Sequence, residues 1–297
     1  MAAVEPRLIL IDGMAVIYRA FYAIKNLTTR DGRPSNAVFG FVKMLRQLSN
    51  TWKPTHWAVV FDGGLPAERT ALLPEYKAQR VPMPDAMRGQ IPLCQEYLSR
   101  AGVCRVFIDG QEADDVIATI SAWAVSTGGS VLIASSDKDF FQLVNERIGM
   151  IPVSGDVSHV VGPEEVAAKT GVRPEQIVDW LALTGDAADN IPGVPGIGLK
   201  TAAKLMVQYG SLENLLKVVQ YVEPTRIKDA LCAHQADIQR NRSMVRLRTN
   251  LGMSLQWDPF RYVDPSLAQL GSFFDDLDFD SFRRDLEQGD LFESRKN

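Results

Sequence analysis

The chain of 297 residues, 46% of them hydrophobic and 23% charged, has the size and composition of a globular protein with one large and one small domain. No apolar run approaches the roughly 20 residues that span a bilayer, and the N-terminus lacks the apolar length of a signal peptide, so we expect a cytoplasmic protein without membrane contact. The net charge of −4 argues against a chain that is basic throughout. Three scattered cysteines and three histidines lack zinc-ligand spacing, and no G-x-S-x-G motif indicates a serine hydrolase. Any catalysis must therefore use carboxylates and what they bind.

The chain opens with a predicted strand that ends in an acid. Residues Arg7 to Ile11 form a short apolar run, which predicts a central strand with Asp12 at its carboxyl end. Gly13 allows a tight exit, and residues Met14 to Ile24 have the apolar spacing of a helix. Tyr18 lies on this helix, and taken alone it is most simply interpreted as an amphipathic core residue.

The same design, an apolar strand followed by an acid, recurs further along the chain. Ser35 is expected to cap a helix that runs to about Leu48. Residues His56 to Phe61 then predict a second buried strand, which is followed directly by Asp62 and two glycines. This repetition indicates that the acids at the strand ends serve a common purpose.

A long polar connection comes next. Residues Leu65 to Asp85 have no strong apolar period, and connections of this length in compact domains are usually functional or mobile. The stretch carries Lys77 and Arg80, which are either solvated or directed at an anion. Beyond it, residues Ala86 to Ala101 predict a helix that Gly102 ends.

Two acidic clusters flank a predicted helix in the middle of the chain. The strand Cys104 to Ile108 precedes the first cluster, the strand Val131 to Ala134 precedes the second, and the helix Val116 to Val125 separates them. Because the carboxyl ends of parallel strands converge on one crevice, we expect both clusters to face the same place. Carboxylates gathered in this way repel one another unless a divalent cation balances them. The acids are Glu112, Asp114, Asp115, Asp137 and Asp139.

Helices replace the alternation of strands and helices in the second half of the chain. We place a domain boundary near Gly171, so that residues 1–170 form an α/β core and residues 171–297 form a helical domain with a C-terminal tail. The stretch from Trp257 onward is mixed, with one predicted helix near Ser281 to Gln288. Short peripheral strands are expected at Ile148 to Val153 and His159 to Val161. The other helices are expected at Pro163 to Lys169, Pro174 to Leu183, Leu199 to Gln208, Leu212 to Val219 and Pro224 to Arg248.

A third acidic cluster occurs at the end of one of these helices. Asp186 and Asp189 are three residues apart, which places them on one face of a helical turn. With these two, the predicted site acids number nine, and setting them aside changes the net charge of the remainder from −4 to +5. The remainder permits a basic nucleic-acid-binding face without demonstrating one.

The segment Ile191 to Ala203, IPGVPGIGLKTAA, has the pattern of a helix-hairpin-helix loop. Glycines let the backbone approach a phosphate, and the N–H groups at the start of the following helix point at it. Such contacts hold a nucleic-acid backbone without reading its sequence. The glycine spacing differs from that of a P-loop, and a simple tight turn between helices is the alternative interpretation. The predicted contact residues are Gly193, Gly196, Gly198, Lys200 and Thr201.

With these motifs in this order, the chain resembles the bacterial 5′-nuclease family of 5′–3′ exonucleases and flap endonucleases, and looks most like the N-terminal 5′-nuclease domain of DNA polymerase I. The resemblance runs from about Leu8 to Leu216 and more loosely to about residue 285. It implies a Rossmann-like (PIN-like) α/β core with a mostly parallel sheet flanked by helices. It further implies a helical arch at about residues 65–101 and a C-terminal all-helical helix-hairpin-helix DNA-binding domain. The motifs are Asp12-Gly13, Val60-Phe61-Asp62, Tyr76-Lys77-Ala78-x-Arg80, Glu112-Ala113-Asp114-Asp115, Asp137-Lys138-Asp139, Thr184-Gly185-Asp186-x-x-Asp189-Asn190 and Gly193-x-x-Gly196-x-Gly198-x-Lys200-Thr201.

The resemblance implies hydrolysis of phosphodiester bonds at 5′ flaps, nicks and 5′ ends of DNA, leaving 5′-phosphate and 3′-hydroxyl. It implies two Mg²⁺ ions, with Mn²⁺ as a substitute, and a monovalent cation such as K⁺ at the hairpin loop. Asp114 or Asp115 is expected to bridge the two metals, and several contacts are expected through water, since Mg²⁺ keeps much of its hydration. The implied ligands are Asp12, Asp62, Glu112, Asp114 and Asp115 for the first metal, and Asp137, Asp139, Asp186 and Asp189 for the second.

The resemblance also implies roles for three residues outside the acids. Lys77 and Arg80 are expected to neutralise charge on the reacting phosphate, and Tyr18 is expected to stack on a base near the scissile bond. The implied partners are branched or nicked DNA, duplex that contains an RNA primer, and a DNA polymerase, with the protein acting as a monomer at the nucleoid. Whether the nuclease stands alone or precedes a polymerase, and which metal it uses, stay open.

Two other classes of function fit part of the pattern. A DNA junction clamp of the same fold, without turnover, would bind the same substrates, but it would gain nothing from nine mutually repelling acids. A different carboxylate enzyme is the second alternative. An aspartyl phosphatase would carry D-x-D after the first strand, where this chain has Asp12-Gly13-Met14. A small PIN-type ribonuclease would lack the hairpin from Gly193 to Thr201.

Overall fold

The computed structural model describes residues 7–288, and its centre is a five-stranded parallel sheet. The strands are β1 (Arg7–Asp12), β2 (His56–Val60), β3 (Cys104–Val106), β4 (Ser130–Ala134) and β5 (Ile148–Ile151). Their order in the sheet is β3-β2-β1-β4-β5, so the winding direction reverses between β1 and β4. The register pairs Leu10 with Ala58 on one side and with Ile133 on the other. In sheets of this kind, the crevice at the carboxyl ends beside the reversal is where ligands bind.

Helices surround the sheet and fill the second half of the chain. Within residues 7–288 there are fourteen α-helices, joined in places by single turns of 3₁₀-helix. They are α1 (Gly13–Ala23), α2 (Asn36–Trp52), α3 (Ala67–Leu72), α4 (Asp85–Arg88), α5 (Ile91–Arg100), α6 (Ala113–Ser126), α7 (Pro163–Thr170), α8 (Ile177–Thr184), α9 (Leu199–Tyr209), α10 (Leu212–Lys217), α11 (Thr225–Ala233), α12 (Gln235–Val245), α13 (Leu267–Asp276) and α14 (Asp280–Glu287).

Both faces of the sheet are buried, because successive side chains of each strand point to opposite sides. Leu8 and Leu10 of β1 belong to the core that contains α6. Ile9 and Ile11 belong to the opposite core, which α1, α2 and α5 cover. This arrangement explains why the strands read as continuous apolar runs rather than as alternating ones. It leaves only the strand ends free to carry polar groups.

The helical part continues the core on the α6 side. Helix α8 packs against α9 and α12, and its Leu181 is buried in the same apolar cluster as Ile120 of α6 and Met206 of α9. A shared core of this kind fixes the helical part against the sheet. The loop that precedes α9 is therefore held in place relative to the carboxyl ends of the strands.

The chain then returns to the opposite face of the sheet. Helix α13 packs on α5, with Phe273 and Phe274 against Tyr97, and Phe282 of α14 joins the same cluster. The sequence analysis predicted the second of these helices but not α13. The division at residue 170 stays a prediction, and part of the tail assigned to the helical domain, Asp290 for example, lies outside the described residues.

Two long helices predicted from sequence are each broken in the structure. The helix expected at Ala86 to Ala101 is divided into α4 and α5, and Gln90 lies at the break. Gln90 Oε1 accepts hydrogen bonds from the backbone N–H groups of Ala37 (2.7 Å) and Val38 (3.2 Å), so it caps α2. Ser35 lies at the N-cap position, but the prediction that its hydroxyl caps the helix is wrong.

The second broken helix and one peripheral strand also differ from the prediction. The helix expected from Pro224 to Arg248 is divided into α11 and α12, with His234 between them. The peripheral strand expected at His159 to Val161 is reduced to an isolated bridge between Met150 and Val161. Among residues 7–288, no helix combines the length and the apolar character needed to cross a membrane.

Candidate metal centre and nucleic-acid interface

The ends of β1 and β2 each place an aspartate beside the start of a helix. Asp12 caps α1, accepting a hydrogen bond from the N–H of Ala15 (2.9 Å), and its other oxygen accepts one from the hydroxyl of Ser135 (3.0 Å). Asp62 accepts a hydrogen bond from the N–H of Ala113 at the start of α6 (3.0 Å). These contacts fix the direction of both carboxylates. They follow from the local sequence, in which each strand runs straight into an acid and a tight exit.

The acids after β4 and α8 form a second group. Asp139 donates its N–H to the carboxylate of Asp137 (2.9 Å), and one oxygen of Asp139 is buried without a hydrogen-bond partner among the described residues. Carboxylate oxygens of Asp139, Asp186 and Asp189 lie within 4.8 Å of one another. Lys138 pairs with Asp186 at 3.1 Å, which balances only part of this charge. An unpartnered buried oxygen inside such a group is costly unless a cation occupies the site.

A pocket of about 730 Å³ opens at the carboxyl end of the sheet, and its lining includes Asp12 and Asp62 of the first group and Asp137 of the second. One wall carries acids, and the other is apolar, with Met14, Phe61 and Met83 among its residues. Tyr18, which is 36% exposed, stands on the rim. The structure thus brings together residues predicted from separate motifs. Those that line the pocket are Asp12, Tyr18, Asp62, Lys77, Arg80, Asp114 and Asp137.

Burial and mutual repulsion raise the pKa values of the acids around this pocket. Burial, together with the nearby charges of Asp62 and Asp137, raises the pKa of Asp12 to about 6, although hydrogen bonds oppose the shift. Burial, with further repulsion from the neighbouring carboxylates, holds the pKa values of Asp114 and Asp139 well above their ordinary range. The pKa of Asp137 is raised for the same reasons. A cluster that resists ionisation in this way is matched to a cation.

Two of the nine acids have a different environment. Glu112 is buried and bound by Arg69, by Lys77 and by the hydroxyl of Tyr76. The other two acids at the start of α6 divide between the two environments. Asp114 lines the pocket, whereas Asp115 is fully buried.

That inward carboxylate, Asp115, is fully buried and clamped by two arginines. Arg69 binds its Oδ1 at 3.0 Å, and Arg248 binds its Oδ2 at 2.9 Å. The backbone N–H of Arg248 also donates to Asp115 (2.9 Å). With both oxygens committed to guanidinium groups, Asp115 is placed to hold the start of α6. Its predicted contact with a metal stays a prediction.

The two predicted phosphate-binding cations already pair with acids. Lys77 contacts both Glu112 and Asp189, and Arg80 pairs with Asp189 at 2.7 Å. The backbone of Lys77 lies in the left-handed region (φ 57°), and its N–H donates to the carbonyl oxygen of Asp189 (3.1 Å). A side-chain-bearing residue keeps such a conformation only where its surroundings enforce it. The contacts with Glu112 and Asp189 therefore fix the position of Lys77 at the pocket wall.

The donor set fits hard divalent cations. Every candidate ligand is a carboxylate oxygen, which is the ligand type that Mg²⁺ and Mn²⁺ prefer, and neither histidine nor cysteine is among them. The unpartnered oxygen of Asp139 is an acceptor site ready for a cation or for water bound to one. Asp137, Asp139, Asp186 and Asp189 would hold one cation, and the acids at the ends of β1 and β2 with Asp114 would hold another.

The hairpin loop divides its glycines between two tasks. Gly185 and Gly193 pack back to back, because a Cβ on Gly193 would lie 2.2 Å from the carbonyl oxygen of Thr184. Gly196 and Gly198 instead border open space, where an added Cβ would meet nothing within 4 Å. Only the latter two leave the backbone accessible to a phosphate. The sequence analysis did not separate these roles.

Helix α9 starts immediately after the open glycines. Gly198 is its N-cap, and Ala202 N–H donates to the Gly198 carbonyl in the first turn. Lys200 is exposed, and within residues 7–288 it forms no ion pair, while Thr201 is half-buried. Gly198, Leu199 and Lys200 are all exposed at this helix start, and an accessible helix N-terminus is what phosphate binding requires.

Three residues that complete the acidic site were not among the predicted site residues. Arg69 lies in α3, Tyr76 in the turn that follows, and Arg248 after α12. The hydroxyl of Tyr76 lies within hydrogen-bond distance of Glu112 (3.0 Å) and Asp189 (3.1 Å), so it links the two groups of acids. Its place directly before Lys77 was a signal for a site role. No local pattern around Arg248 marks it.

Comparisons with protein families agree with this arrangement along nearly the whole chain. Residues 7–171 match the family model of the 5′-3′ exonuclease N-terminal resolvase-like domain, and residues 172–268 match that of the 5′-3′ exonuclease C-terminal SAM fold. A 5′-3′ exonuclease of Aquifex aeolicus is 36% identical over 281 residues, which cover 95% of each chain. The thermostable DNA polymerase I of Thermus thermophilus is 40% identical over 275 residues. Those residues cover 93% of this chain but 32% of the polymerase, so the chain spans about a third of that relative.

Solved structures with lower identity share the fold. The flap endonuclease of bacteriophage T5, in a complex with DNA and metal ions, superposes with a TM-score of 0.68 at 21% identity, covering 97% of this chain and 100% of its own. The catalytic core of Rad2 with a DNA substrate superposes with a TM-score of 0.64 at 18% identity, covering 98% and 92%. The expected fold, a parallel α/β core with a C-terminal helical domain, is confirmed. On the family models and the full-length relative together, this chain belongs to the 5′-3′ exonuclease family.

Proposed function

We propose that the chain is a structure-specific 5′ nuclease that hydrolyses phosphodiester bonds of 5′ flaps and 5′ ends of duplex DNA with two bound Mg²⁺ ions, leaving 5′-phosphate and 3′-hydroxyl. The observation that carries this proposal is the pocket at the carboxyl ends of β1, β2 and β4. Acids from separate motifs in and beside this pocket raise one another's pKa values, and a buried oxygen of Asp139 has no hydrogen-bond partner among the described residues. Family membership supports the same activity.

The chain's own residues would act as follows. Asp12, Asp114 and Asp137 hold negative charge at the pocket floor, where it balances cations. Divalent cations, when bound there, activate a water and stabilise the leaving 3′ oxygen. Lys77 and Arg80 line the same pocket and can exchange a carboxylate partner for a phosphate oxygen. Tyr18 on the rim stacks on a base, which requires no particular sequence.

We assign Asp115 to positioning rather than to metal binding. Its two oxygens are committed to Arg69 and Arg248. It therefore fixes the first turn of α6, which carries Asp114 into the pocket. Glu112 shares this supporting role, because it is buried and bound by Arg69, Lys77 and Tyr76, and its contact with a metal stays a prediction. This assignment separates the nine predicted ligands into seven that bind metal and two, Glu112 and Asp115, that support them.

The hairpin would hold the duplex through its backbone. Gly196 and Gly198 would let a phosphate approach the start of α9, Lys200 would add a charge, and a monovalent cation such as K⁺ would bind at this loop. None of these contacts reads a base edge, so the substrate is recognised by its shape. RNA-primed duplex would be accepted on the same grounds. A monomer at the nucleoid, working beside or joined to a DNA polymerase, fits the polymerase relatives.

The decisive experiment uses a 5′-labelled flap duplex, with Mg²⁺, Mn²⁺ or EDTA, and compares the wild type with Asp137→Asn. We expect metal-dependent release of the flap near the junction, lowered more than about a hundredfold in the variant. Lys217→Ala is the matched control, since Lys217 pairs with Glu213 on the surface of α10. Binding of the duplex in EDTA should be similar for all three proteins.

The junction clamp is the outcome that would replace this proposal. Tight binding of the flap duplex without any cut, in both Mg²⁺ and Mn²⁺, would show a binding protein of the same fold. Equal cleavage by the wild type and Asp137→Asn would keep the nuclease but remove the proposed metal site.

A further inference from the structure

Helix α1 carries a second exposed tyrosine beyond the one on the pocket rim. Tyr22 is 61% exposed and lies one helical turn after Tyr18. The two ring centroids are 6.5 Å apart and the ring planes differ by 27°. Phe21 meets the Tyr22 ring edge-on, at 5.2 Å and 87°. Tyr18 and Phe21 thus support the Tyr22 ring from within α1, while more than half of the residue stays exposed to solvent.

The charge around these rings suits a polyanion. Helix α1 contains no acidic residue, although it starts at Asp12. Arg19, between the two tyrosines, and Lys25, just past the helix, are exposed, and neither forms an ion pair within residues 7–288. The helix thus begins in the carboxylate pocket and leads away from it along a surface that is basic and aromatic. Basic surfaces with interleaved aromatic rings bind single-stranded nucleic acid.

The spacing of the rings matches a nucleotide strand. Stacked bases are about 3.4 Å apart along one strand, so two steps span about 6.8 Å. A strand with one base on Tyr18 would therefore bring another base to Tyr22, at the observed 6.5 Å. The faces of a base inside a duplex are covered by its neighbours. Only an unpaired base can offer a free face to Tyr22.

We propose that Tyr22 is a second stacking platform, which binds an unpaired base of the 5′ strand beyond the nucleotide at the pocket rim. The substrate feature that it recognises is single-stranded length. A flap of several nucleotides reaches both rings, whereas a single unpaired nucleotide reaches only Tyr18. The proposal rests on the proposed nuclease function for its substrate, but the contact itself requires no cleavage.

The test measures binding in EDTA and cleavage in Mg²⁺ as separate readouts. The substrates are flap duplexes with one unpaired nucleotide and with about five, each with 2-aminopurine as a fluorescent base at successive flap positions. The variants are Tyr22→Ala and Tyr22→Phe. Tyr221→Ala is the control, since Tyr221 is 85% exposed and lies in the helical part, away from the pocket.

For the long flap, we expect Tyr22→Ala to weaken binding and raise KM by about tenfold while kcat stays unchanged. Tyr22→Phe should retain wild-type binding, because stacking needs the ring and not the hydroxyl. The quenching of one flap position should disappear in Tyr22→Ala alone. The single-nucleotide flap should be bound and cut equally by every variant.

Three results would overturn the proposal. These are an equal loss on both substrates, no loss on either, and a failure of Tyr22→Phe to restore binding. If no protein cuts any substrate, the nuclease proposal fails, yet the loss of quenching at one flap position in EDTA would still establish the stacking contact.

Discussion

The acids in and around the pocket fall into two environments, although all of them lie near the ends of strands or helices. Glu112 and Asp115 are surrounded by cationic side chains, which satisfy their charge inside the protein. Asp12, Asp114 and Asp139 are surrounded by other acids, and their pKa values are raised. The first pair stabilises the fold of the metal-free protein, and the second set destabilises it.

This difference shows that the type of acidic residue and its spacing in the sequence do not reveal whether it has a structural or a binding role. A carboxylate with internal partners contributes to structure, whereas one left among like charges awaits an external cation. The two glycine pairs of the hairpin show the same division, since Gly193 is needed for internal packing and Gly198 faces open space. In both motifs, the groups left unsatisfied are the candidates for binding.

Removing a clamping arginine should have the largest effect. Arg69→Ala leaves Glu112 and Asp115 buried with less compensating charge, so the free energy of unfolding should fall by about 3–5 kcal/mol. Urea denaturation without metal measures it. Arg80→Ala is the control, because that side chain is largely exposed and should change stability by no more than about 1 kcal/mol. Similar losses of unfolding free energy for both variants would mean that the burial of Arg69 with its acidic partners is not the cause of the destabilisation.

Neutralising one acid in each environment should shift stability in opposite directions. In metal-free protein, Asp139→Asn should raise Tm by about 2–4 °C, since it removes repulsion, and Asp115→Asn should lower Tm, since it weakens two arginine contacts. Mg²⁺ should stabilise the wild type and Asp115→Asn, but much less so Asp139→Asn. Thermal unfolding with and without Mg²⁺ distinguishes the two. A lower Tm for Asp139→Asn would place that residue with the clamped acids.

Lowering the pH should increase the unfolding free energy of the metal-free protein, because it protonates the acids that are surrounded by other acids. The pKa of Asp12 is about 6 in the fold and lies near its ordinary value in the unfolded chain, so the folded state binds the proton more tightly. Its destabilising effect is therefore fully present well above pH 6 and is relieved progressively as the pH falls through 6 toward the ordinary pKa of an aspartate. Between pH 7.5 and 5, this one group should contribute about 1 kcal/mol.

The comparison with Asp12→Asn isolates that contribution. The difference in unfolding free energy between the wild type and the variant should shrink as the pH falls. Titrating groups distant from Asp12 cancel, whereas Asp114, whose pKa is raised in part by the charge of Asp12, changes with it. His56, whose burial lowers its pKa, acts in the opposite direction but equally in both proteins. A difference that does not change with pH would show that Asp12 is ionised without strain.

The smallest expected effect concerns a cation without an internal partner. Lys77 is bound to acids, whereas Lys200 forms no ion pair within residues 7–288. Lys200→Ala should weaken duplex binding several-fold and lower the slope of log K against log salt by about 0.9, the value for one phosphate contact. Binding measured at several salt concentrations in EDTA tests it. An unchanged slope would count against the hairpin as a phosphate site.

Much of the pocket could be predicted from sequence because its acids are fixed by local structure. Asp12 is the last residue of β1 and Asp62 lies two residues after β2, and the sheet brings the ends of these strands together. Asp186 was expected on a helical turn, but it follows the glycine that ends α8 and caps a 3₁₀ turn, accepting from the N–H of Ala188. The residue was found although its conformation was not. An acid that lies close in sequence to the end of a strand or helix can be predicted as a site residue without knowledge of the fold.

The supporting contacts could not be predicted, because they join distant parts of the chain. Arg248 meets Asp115 across 133 residues of sequence, and nothing near it distinguishes it from other surface arginines. Helix α13 is a different case, since Leu270, Phe273 and Phe274 have the spacing of an amphipathic helix and its signal was present. The break at Gln90 depends on a hydrogen bond to another helix, which no local pattern encodes.

The contacts of Arg69 make the two family-model regions interdependent. Its guanidinium binds Glu112 and Asp115 and also donates to the carbonyl oxygens of Met244 and Arg246, beyond residue 171. A polypeptide that ends at 171 would carry seven of the nine acids without the carbonyls that hold this arginine, and its complement would carry two. Neither fragment would carry the complete set of acids, so cleavage by the two together would require that they associate.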